Sequence, residues 1–433
     1  MLFDFVTHLW IANVAISLPM VAFSLANLYW STYAWHSPAT HEETTSSPAR
    51  NDVHHHTFSV IVPLREEPIE VVGATIAKIL AQTHPAVQPV CSVGYDDPDT
   101  LAVVRRLMDL YPGRITLAIS QSDVRNKPTQ LNAALAMCTG DVVGILDAES
   151  LSAPGLLSQI DATLQDSEIG VVQGGVMIVN HRASWVALRS SLEYYANHRS
   201  KMHFAAAHHF MLMGGNTVFF RRSLLDEVGG WDPDMLTEDA EIGVRLSVLG
   251  HEVRVAYQPH LVSREEAPTT IRSWVKQRTR WNLGFMQTIR KGVWRQLPTA
   301  GRRRFARWLL WQPSIMAISG VVIPLGVVVA LFAPSPLWAT MIAFLPAVPT
   351  VMLVVLDATM LYLFGREIGE KVRLIDYLLL VVTTPIYQLM SAYAAARAAV
   401  KYLLGDLRWE KTAHTGSHIE EIIDLTVYDR VAS

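Results

Sequence analysis

The chain has 433 residues, a formal net charge of −3 and a mean hydropathy of +0.23. That hydropathy is high for a soluble enzyme, and the slightly negative charge argues against a nucleic-acid partner. Cys91 and Cys138 are the only cysteines, so the chain cannot build a disulfide framework and suits a reducing compartment. The composition therefore excludes disulfide-stapled secreted domains and polyanion-binding modules.

The apolar residues are concentrated near the two ends of the chain. Residues 5–35 contain no charged side chain over a length that can span a bilayer. They also lack the basic start and the cleavage site of a signal peptide, which predicts an N-terminal transmembrane helix. Further apolar runs occupy residues 308–332, 338–364 and 376–404.

The cations near these runs predict the orientation. Six lysines and arginines lie between Lys291 and Arg307, just before the second run, whereas the next loop, residues 333–337, carries no charge. The positive-inside rule therefore places residues 36–307 in the cytoplasm and the amino terminus outside the inner membrane. Cations flank the run at 376–404 on both sides, and Pro385 interrupts it. This pattern favours a re-entrant or interfacial segment, with a third full C-terminal span almost as well supported.

Residues 36–56 form a polar linker that ends in three consecutive histidines, His54, His55 and His56. Three histidines are a possible metal-binding tract. Because they lie in a linker without a partner carboxylate, a solvated loop is the favoured interpretation.

Residues 57–267 alternate between buried-strand patterns and amphipathic helices. Strands are predicted at 58–64, 87–94, 114–120 and 141–147, with helices at 68–82, 99–111 and 128–138. This alternation predicts a parallel, doubly wound α/β sheet, in which ligands bind beyond the carboxyl ends of the strands. Neither G-x-G-x-x-G nor G-x-x-x-x-G-K occurs, which excludes the Rossmann dinucleotide and P-loop motifs.

Acidic residues follow these strands. Glu66 follows the first strand, Asp96 and Asp97 follow the second, and Asp147 and Glu149 follow the fourth. Each taken singly is equally consistent with an ordinary helix cap. In a D-x-E at a strand end, however, alternate side chains project the same way, and converging carboxylates repel unless a cation joins them. Asp147 and Glu149 therefore predict a Mg²⁺ or Mn²⁺ site.

Two helix starts carry further polar groups. Lys127 and Asn132 lie in "NKPTQLNAAL", where the lysine is suited to a phosphate and the amide to a nucleotide, although a solvated lysine is the alternative. Thr237 is a candidate cap for a helix whose first turn contains Glu238 and Asp239.

The stretch "WVKQRTRW", residues 274–281, lies close to the second apolar run. On a helix, Gln277, Arg280 and Trp281 share one face, since offsets of three and four residues are neighbours. Trp281 can offer a flat apolar face to a pyranose ring, while the other two side chains can bond hydroxyl or phosphate groups. An interfacial helix, where tryptophan and arginine are common, is the alternative for residues 268–307.

In this order, the motifs resemble the membrane-integrated family-2 glycosyltransferases, a group that includes cellulose, hyaluronan and chitin-oligosaccharide synthases and ceramide glucosyltransferase. The resemblance covers about residues 57–290. It depends on five motifs: Asp96–Asp97, Lys127 with Leu131 and Asn132, Asp147 with Glu149, Thr237–Glu238–Asp239, and Gln277 with Arg280 and Trp281.

The resemblance implies a GT-A fold, the Rossmann-like fold of nucleotide-diphospho-sugar transferases, and a role for each motif. Asp239 would be the general base beside Glu238, and Asp147 with Glu149 would hold the metal, although the family's second aspartate is a glutamate here. The expected donor-binding residues are these motif residues Asp96, Asp97, Lys127, Asn132 and Asp147, together with Glu66 from its position after the first strand. The expected acceptor-binding residues are Gln277, Arg280 and Trp281, together with Gly215, which permits close backbone approach unless "MGGNTVFFRR" is only a tight turn before a strand.

The tail, residues 405–433, contains "RWEKTAHTG", which resembles the family's C-terminal gating loop. In that loop Trp409, Lys411 and Thr412 would close over the nucleotide from the cytoplasmic side.

We therefore expect an inverting hexosyltransferase that uses a nucleotide-diphosphate sugar, with UDP favoured, to extend a β-linked polysaccharide at the inner membrane. The C-terminal apolar segments are few for a polymer channel unless the protein forms a homo-oligomer. A transferase that glycosylates a membrane lipid is therefore the alternative. A non-enzymatic scaffold is a third hypothesis, and it does not require the carboxylates to converge.

Overall fold

The computed structural model describes residues 2–37, 54–332, 335–408, 410 and 419. Within these residues ten strands form two sheets. The strands are β1 Phe58–Leu64, β2 Val87–Gly94, β3 Thr116–Ser120, β4 Val142–Ile145, β5 Leu151–Ser152, β6 Ile169–Gly174, β7 Val176–Ile178, β8 Val218–Arg221, β9 Glu252–Ala256 and β10 Ser263–Glu265.

In the amino-terminal segment and the central domain, helices come before, between and after these strands. They are α1 Leu2–Ser31, α2 Tyr33–His36, α3 Ile69–Leu80, α4 Pro98–Leu110, α5 Lys127–Leu135, α6 Leu156–Thr163, α7 Trp185–Ala196, α8 Met202–Ala207, α9 Arg222–Val228, α10 Glu238–Leu249 and α11 Ile271–Lys291. The C-terminal part continues with α12 Ala300–Phe332, α13 Leu337–Phe344, α14 Ala347–Glu367 and α15 Leu374–Leu403.

The large sheet has seven strands in the order β3-β2-β1-β4-β8-β6-β9. The four strands β3, β2, β1 and β4 are parallel neighbours, as the sequence predicts. Apolar clusters cover both faces of these strands, which explains their continuous β-branched runs.

Strand β8 departs from the expected parallel arrangement because it runs antiparallel to both β4 and β6. Its chain enters at the carboxyl edge of β4, where the Thr217 N–H donates to the Ile145 carbonyl at 2.8 Å. A strand that starts at this edge must run back across the sheet. The segment before β8 is thereby held at the edge where ligands bind in such sheets.

The small sheet has the order β5-β10-β7. Strand β10 pairs antiparallel with β5 and parallel with β7. This pairing places the end of β10 beside the loop that follows β4. There the Ser150 hydroxyl donates to Glu265 Oε1 at 2.7 Å.

The described residues include four helices long and apolar enough to cross a membrane: Trp10–Ser31, Ala300–Phe332, Leu337–Glu367 and Leu374–Leu403. The last of these is one continuous 30-residue helix, so the expectation that Pro385 interrupts it is wrong. Helix α15 nevertheless lies lengthwise against the central domain. Leu380 packs in one cluster with Tyr257, Tyr387 contacts Trp274, and Ala398 packs against Leu283.

The histidines before β1 match the expected solvated loop in part: the side chains of His54 and His55 are exposed, whereas that of His56 is held by a carboxylate. His56 Nδ1 lies 2.7 Å from Asp161 Oδ1, and the Asp161 side chain is only 3% exposed. The partner carboxylate comes from α6, 105 residues further along the chain.

Candidate active site

A single cavity of about 580 Å³ lies beyond the carboxyl ends of β1, β2 and β4. It extends from the loops after these strands, past the start of α10, to α11, α12 and α15. The expected site residues that line it are Asp96, Lys127, Asp147, Glu149, Gly215, Glu238, Asp239, Gln277, Arg280 and Trp281.

Lys127 is at the centre of the charged part of this cavity. Its Nζ donates to Asp147 Oδ1 and to the Gly215 carbonyl, both at 2.6 Å, and lies 3.9 Å from Glu238 Oε1. A Cβ atom at Gly215 would lie 2.9 Å from Asp239 Oδ2 and 3.3 Å from Lys127 Nζ. Asp147 and the acidic start of α10 thus meet around the ammonium group of Lys127. The hypothesis of a non-enzymatic scaffold does not require such convergence.

The pair at the start of α10 is electrostatically perturbed. Burial raises the pKa of Asp239, and burial together with the neighbouring Asp239 charge raises the pKa of Glu238. Burial alone would lower the pKa of Lys127, but Asp147, Glu238 and Asp239 together raise it, so the lysine stays protonated. A carboxylate with a raised pKa is a better proton acceptor at neutral pH than an ordinary one.

Glu265 is a cavity residue that the sequence analysis missed. Burial, followed by the charges of Asp147 and Glu149, raises its pKa. Three carboxylates on the loop after β4 and the end of β10 therefore share one electrostatic environment. Carboxylate oxygens are the ligands that Mg²⁺ and Mn²⁺ prefer, so these are the side chains of the cavity that could hold a hard divalent cation. The available signal was the acidic pair Glu265–Glu266 at the end of a short strand.

Asp96 is held at the other end of the cavity by two arginines that the sequence analysis also missed. Its Oδ2 lies 3.1 Å from Arg65 Nη2 and 2.9 Å from Arg125 Nε. The hydrogen bond from Arg65 is the largest cause of the lowered pKa of Asp96. This end of the cavity therefore combines one carboxylate with two guanidinium groups.

Three of the expected donor-binding residues do not line the cavity. Asp97 is buried, caps α4 through the Thr100 N–H and accepts the Glu66 N–H at 2.7 Å. The Glu66 side chain is 67% exposed. Asn132 bonds the backbone N–H and carbonyl of Trp231 at 2.8 and 2.7 Å. In this structure Asp97 and Asn132 hold backbone segments beside the cavity.

The stretch "WVKQRTRW" lies on α11, as expected, and Gln277, Arg280 and Trp281 line the cavity together. The indole of Trp281 is not free on both faces, because the Arg278 guanidinium carbon lies 4.2 Å from its ring centroid. Arg278 also lies 5.2 Å from the Trp274 ring and forms an ion pair with Glu193. The tryptophan platform is therefore fixed in place by a paired arginine.

Several buried polar atoms along this wall have no hydrogen-bond partner within the described residues. They are Thr237 Oγ1, His198 Nε2, Gln277 Oε1, Arg278 Nε, Arg280 Nε and Asn282 Oδ1. Buried polar groups are normally hydrogen-bonded, and leaving them unpaired is costly. Donors and acceptors gathered on one wall favour a ligand with many hydroxyl groups. Thr237 occupies the cap position of α10, but its hydroxyl makes no capping bond.

The far end of the cavity is built by helices long enough to cross a membrane. Leu309, Pro313 and Met316 of α12 line it, together with Gln388 and Ser391 of α15. The cavity thus joins the carboxylate cluster to the apolar helices without a break.

The candidate gating residues Trp409, Lys411 and Thr412 lie outside the described residues. Glu410 is described, and its carboxylate bonds Arg397 at 2.7 and 3.0 Å and Lys401 at 3.0 Å. The tail therefore leaves α15 at a defined ion-paired position.

Residues 55–284 match the sequence model of a family described as "Glycosyltransferase like family 2". The match spans more than half of the chain and includes the charged residues that line the cavity. The chain belongs to this family. The family membership and the mixed α/β GT-A-like fold predicted from the sequence are thereby confirmed, and the domain is a glycosyltransferase domain.

Curated relatives of this family-2 domain match the chain at about one quarter identity. Poly-β-1,6-N-acetyl-D-glucosamine synthase of Staphylococcus epidermidis is 27% identical over 208 residues, 46% of this chain and 48% of that protein. β-Monoglucosyldiacylglycerol synthase of Synechocystis is 27% identical over 214 residues, 46% of this chain and 44% of that protein. The chain thus spans about half the length of the curated relatives it matches.

Among solved structures, the mannosyltransferase PcManGT of Pyrobaculum calidifontis, in complex with GDP-Man and Mn²⁺, superposes with a TM-score of 0.55. The two chains are 20% identical, and the superposition covers 91% of this chain and 99% of that one. This similarity shows a shared fold that extends beyond the family-2 domain.

Proposed function

We propose that this family-2 glycosyltransferase is an inverting enzyme that transfers a hexose from a nucleotide-diphosphate sugar, with UDP favoured, to a growing β-linked polysaccharide. The observation that carries the proposal is the single cavity in which Lys127, Asp147, Asp239 and Trp281 line one space. The catalytic domain would face the cytoplasm at the inner membrane, in agreement with the cations before α12.

The donor would occupy the end of the cavity between Asp96 and Asp147. Lys127, Arg65 and Arg125 supply positive charge there, which suits a diphosphate. A Mg²⁺ or Mn²⁺ ion held by Asp147 and Glu149, with Glu265 beside them, would neutralise the charge that develops on the diphosphate leaving group. The structurally similar mannosyltransferase, in complex with GDP-Man and Mn²⁺, supports this assignment.

Asp239 would act as the general base for the acceptor hydroxyl. Its Oδ1 accepts the Ala240 N–H at 2.8 Å, which fixes the carboxylate, while Oδ2 lies against Gly215 beside Lys127. A base on one side of the sugar and a leaving group on the other permit a single in-line displacement, which inverts the anomeric carbon.

The acceptor would bind along α11. The unpaired buried atoms of Gln277, Arg280 and Asn282 can bond sugar hydroxyls, and Trp281 can pack against a pyranose ring. The apolar end of the cavity at α12 favours one second candidate, a lipid-linked acceptor that reaches the site from the bilayer. The two curated relatives described above include one polymer synthase and one glycolipid synthase, so both acceptor classes have precedent.

The test is nucleotide release by the full chain in proteoliposomes with a panel of UDP- and GDP-sugars. We expect one donor to give release that depends on Mg²⁺ or Mn²⁺ and is abolished by EDTA and by Asp239→Asn. An insoluble radiolabelled polymer supports the polysaccharide acceptor, and a chloroform-extractable product supports the lipid acceptor. Release no greater than that of Asp239→Asn with every donor would contradict the proposal.

A further inference from the structure

A second group of chemically active side chains lies at the opposite end of the sheet from the cavity. His54 precedes β1, His84 precedes β2, and Asp161 lies on α6. One possible ligand atom from each of these residues lies within 4.8 Å of the other two. Strand β1 has seven residues. At roughly 3.3 Å per residue, it places this group about 20 Å from the carboxyl edge of the sheet.

His84 is the most informative member of the group. Its side chain is fully buried, and its Nε2 has no hydrogen-bond partner within the described residues. The nearest carboxylate oxygen, Asp161 Oδ2, is 3.8 Å away, which is too far for a hydrogen bond. Buried polar atoms are normally paired, so an unpaired ring nitrogen 3.8 Å from a carboxylate oxygen points to a ligand between them.

Asp161 is held in position by the backbone before β1. Its Oδ2 accepts the His55 N–H, and its Oδ1 accepts the His56 N–H, both at 3.0 Å. The ring of His56 adds a 2.7 Å bond to Oδ1, while its other nitrogen lies 3.1 Å from Arg221 Nη1. Because the guanidinium can only donate, His56 must donate to Asp161. Such outer contacts orient a carboxylate ligand and leave the second lone pair of Oδ2 available.

We propose that His54 Nδ1, His84 Nε2 and Asp161 Oδ2 bind one Zn²⁺-type ion, in a site separate from the catalytic cavity. The two histidine nitrogens lie 3.9 and 3.8 Å from Asp161 Oδ2. A tetrahedral zinc site with bonds of about 2.0–2.1 Å needs ligand atoms roughly 3.4 Å apart, so a small contraction suffices. Two imidazoles and one carboxylate favour Zn²⁺ or Co²⁺ over the hard ions suited to the cavity.

Binding would change the proton position on His84. The Ala86 N–H lies 3.3 Å from His84 Nδ1, so the unliganded ring carries its proton on Nε2. Coordination of an ion at Nε2 would move that proton to Nδ1. The long hydrogen bond from the Ala86 N–H to Nδ1 would then be lost, and a metal bond at Nε2 would form. The ion would clamp the segment that enters β1 onto the folded domain.

The test uses the purified full chain titrated with Co²⁺ in excess Mg²⁺, with visible absorption as the readout. We expect one Co²⁺ per chain, with the spectrum of a four-coordinate nitrogen and oxygen site, and displacement by Zn²⁺. His54→Ala should weaken binding by at least about tenfold, because it removes one ligand from an exposed position. His55→Ala is the matched control, since its exposed side chain is outside the group.

Thermal unfolding provides a second readout. Zn²⁺ should raise the unfolding midpoint of the wild type and of His55→Ala, but not that of His54→Ala, because an ion that binds the folded state stabilises it. The proposal is overturned if the wild type gives no Co²⁺ spectrum, if both alanine variants bind alike, or if Asp147→Asn abolishes binding. Since no readout involves sugar transfer, these results are independent of the proposed function.

Discussion

At the scale of single residues, the site depends on carboxylates whose protonation differs from that of exposed groups. Burial raises the pKa of Asp239 and of Glu238, and Lys127 opposes the rise by stabilising their charged forms. Only the deprotonated base can accept the proton of the acceptor hydroxyl. Because its pKa is raised, this base becomes protonated at a higher pH than an ordinary carboxylate would. Activity should therefore be lost at a higher pH on acidification.

The first prediction concerns this pH dependence. We expect kcat/KM to rise with pH and its acidic limb to lie above the usual carboxylate range of about pH 4. Lys127→Met should move the limb to higher pH, because it removes the positive neighbour that lowers the pKa of Asp239. Asp99→Asn, on an exposed residue of α4, is the control and should leave the profile unchanged. A limb that does not move in Lys127→Met would contradict this assignment.

The second prediction concerns Gly215. An alanine Cβ there would lie 2.9 Å from Asp239 Oδ2 and 3.3 Å from Lys127 Nζ, so the base and the lysine must shift. Misplacing catalytic groups by about 1 Å can cost on the order of 100-fold in rate, and we expect a loss of kcat of that order in Gly215→Ala. Gly301→Ala has only Thr299 Oγ1 near the added atom, at 3.8 Å, and serves as the control. Equal kcat in the two variants would show that the close approach has no catalytic role.

At the scale of secondary-structure elements, α11 carries the acceptor wall and α7 holds it in place. Arg278 of α11 contacts the rings of Trp274 and Trp281 and pairs with Glu193 of α7. A planar guanidinium can stack on indole rings while it bonds a carboxylate, whereas an ammonium group cannot do both. The orientation of Trp281 therefore depends on a contact between two helices.

The third prediction tests this contact. Arg278→Lys keeps the charge but loses the stacking, so we expect the KM for the acceptor to rise about tenfold, a change of about 1.4 kcal/mol, with the donor KM unchanged. Steady-state kinetics with each substrate varied in turn measure the two values. Arg272→Gln changes an exposed cation on the same helix and should leave both values unaltered. A rise in the donor KM instead would place Arg278 on the donor side.

At the scale of the whole molecule, the packing of α15 bears on whether this helix crosses the membrane or lies along its surface. Residues along the helix contact the central domain, from Leu380 beside Tyr257 to Ala398 beside Leu283. A helix that crossed the bilayer away from the domain would make such contacts near one end alone. With cations at both ends, these contacts favour an interfacial helix whose exposed apolar face, including Val382, Leu389 and Tyr393, rests in the membrane.

The fourth prediction follows from this packing. Cysteines introduced at Lys371 and Leu404, both exposed and at opposite ends of α15, should react with an impermeant maleimide from the same, cytoplasmic side in inverted vesicles. Ser335→Cys, between α12 and α13, should react only from the other side. The native Cys91 and Cys138 are buried and should give little background. Labelling of Lys371→Cys and Leu404→Cys from opposite sides would show that α15 spans the membrane.

Local patterns in the sequence were sufficient for four of the seven strands of the large sheet and for much of the site. Strands β1 to β4 and the helices between them follow from hydrophobic periodicity, which depends on neighbouring residues alone. Because those strands are parallel, their polar ends had to share one edge, which brings Asp96, Lys127 and Asp147 to one cavity. The face of α11 that carries Gln277, Arg280 and Trp281 is likewise set by helical spacing.

Only the tertiary structure decided which polar groups face the cavity and which hold the backbone. Asp97 and Asn132 occupy motif positions but bond backbone groups, whereas Glu265, 118 residues after Asp147, joins the carboxylate group through a strand pairing. Asp161 meets the histidines before β1 in the same way. Partners this distant leave no periodic trace in the sequence, since contacts between separate elements depend on how the sheet and helices pack. The course of α15 was also decided by packing, because length and hydropathy alone allow it either to cross a bilayer or to lie on one.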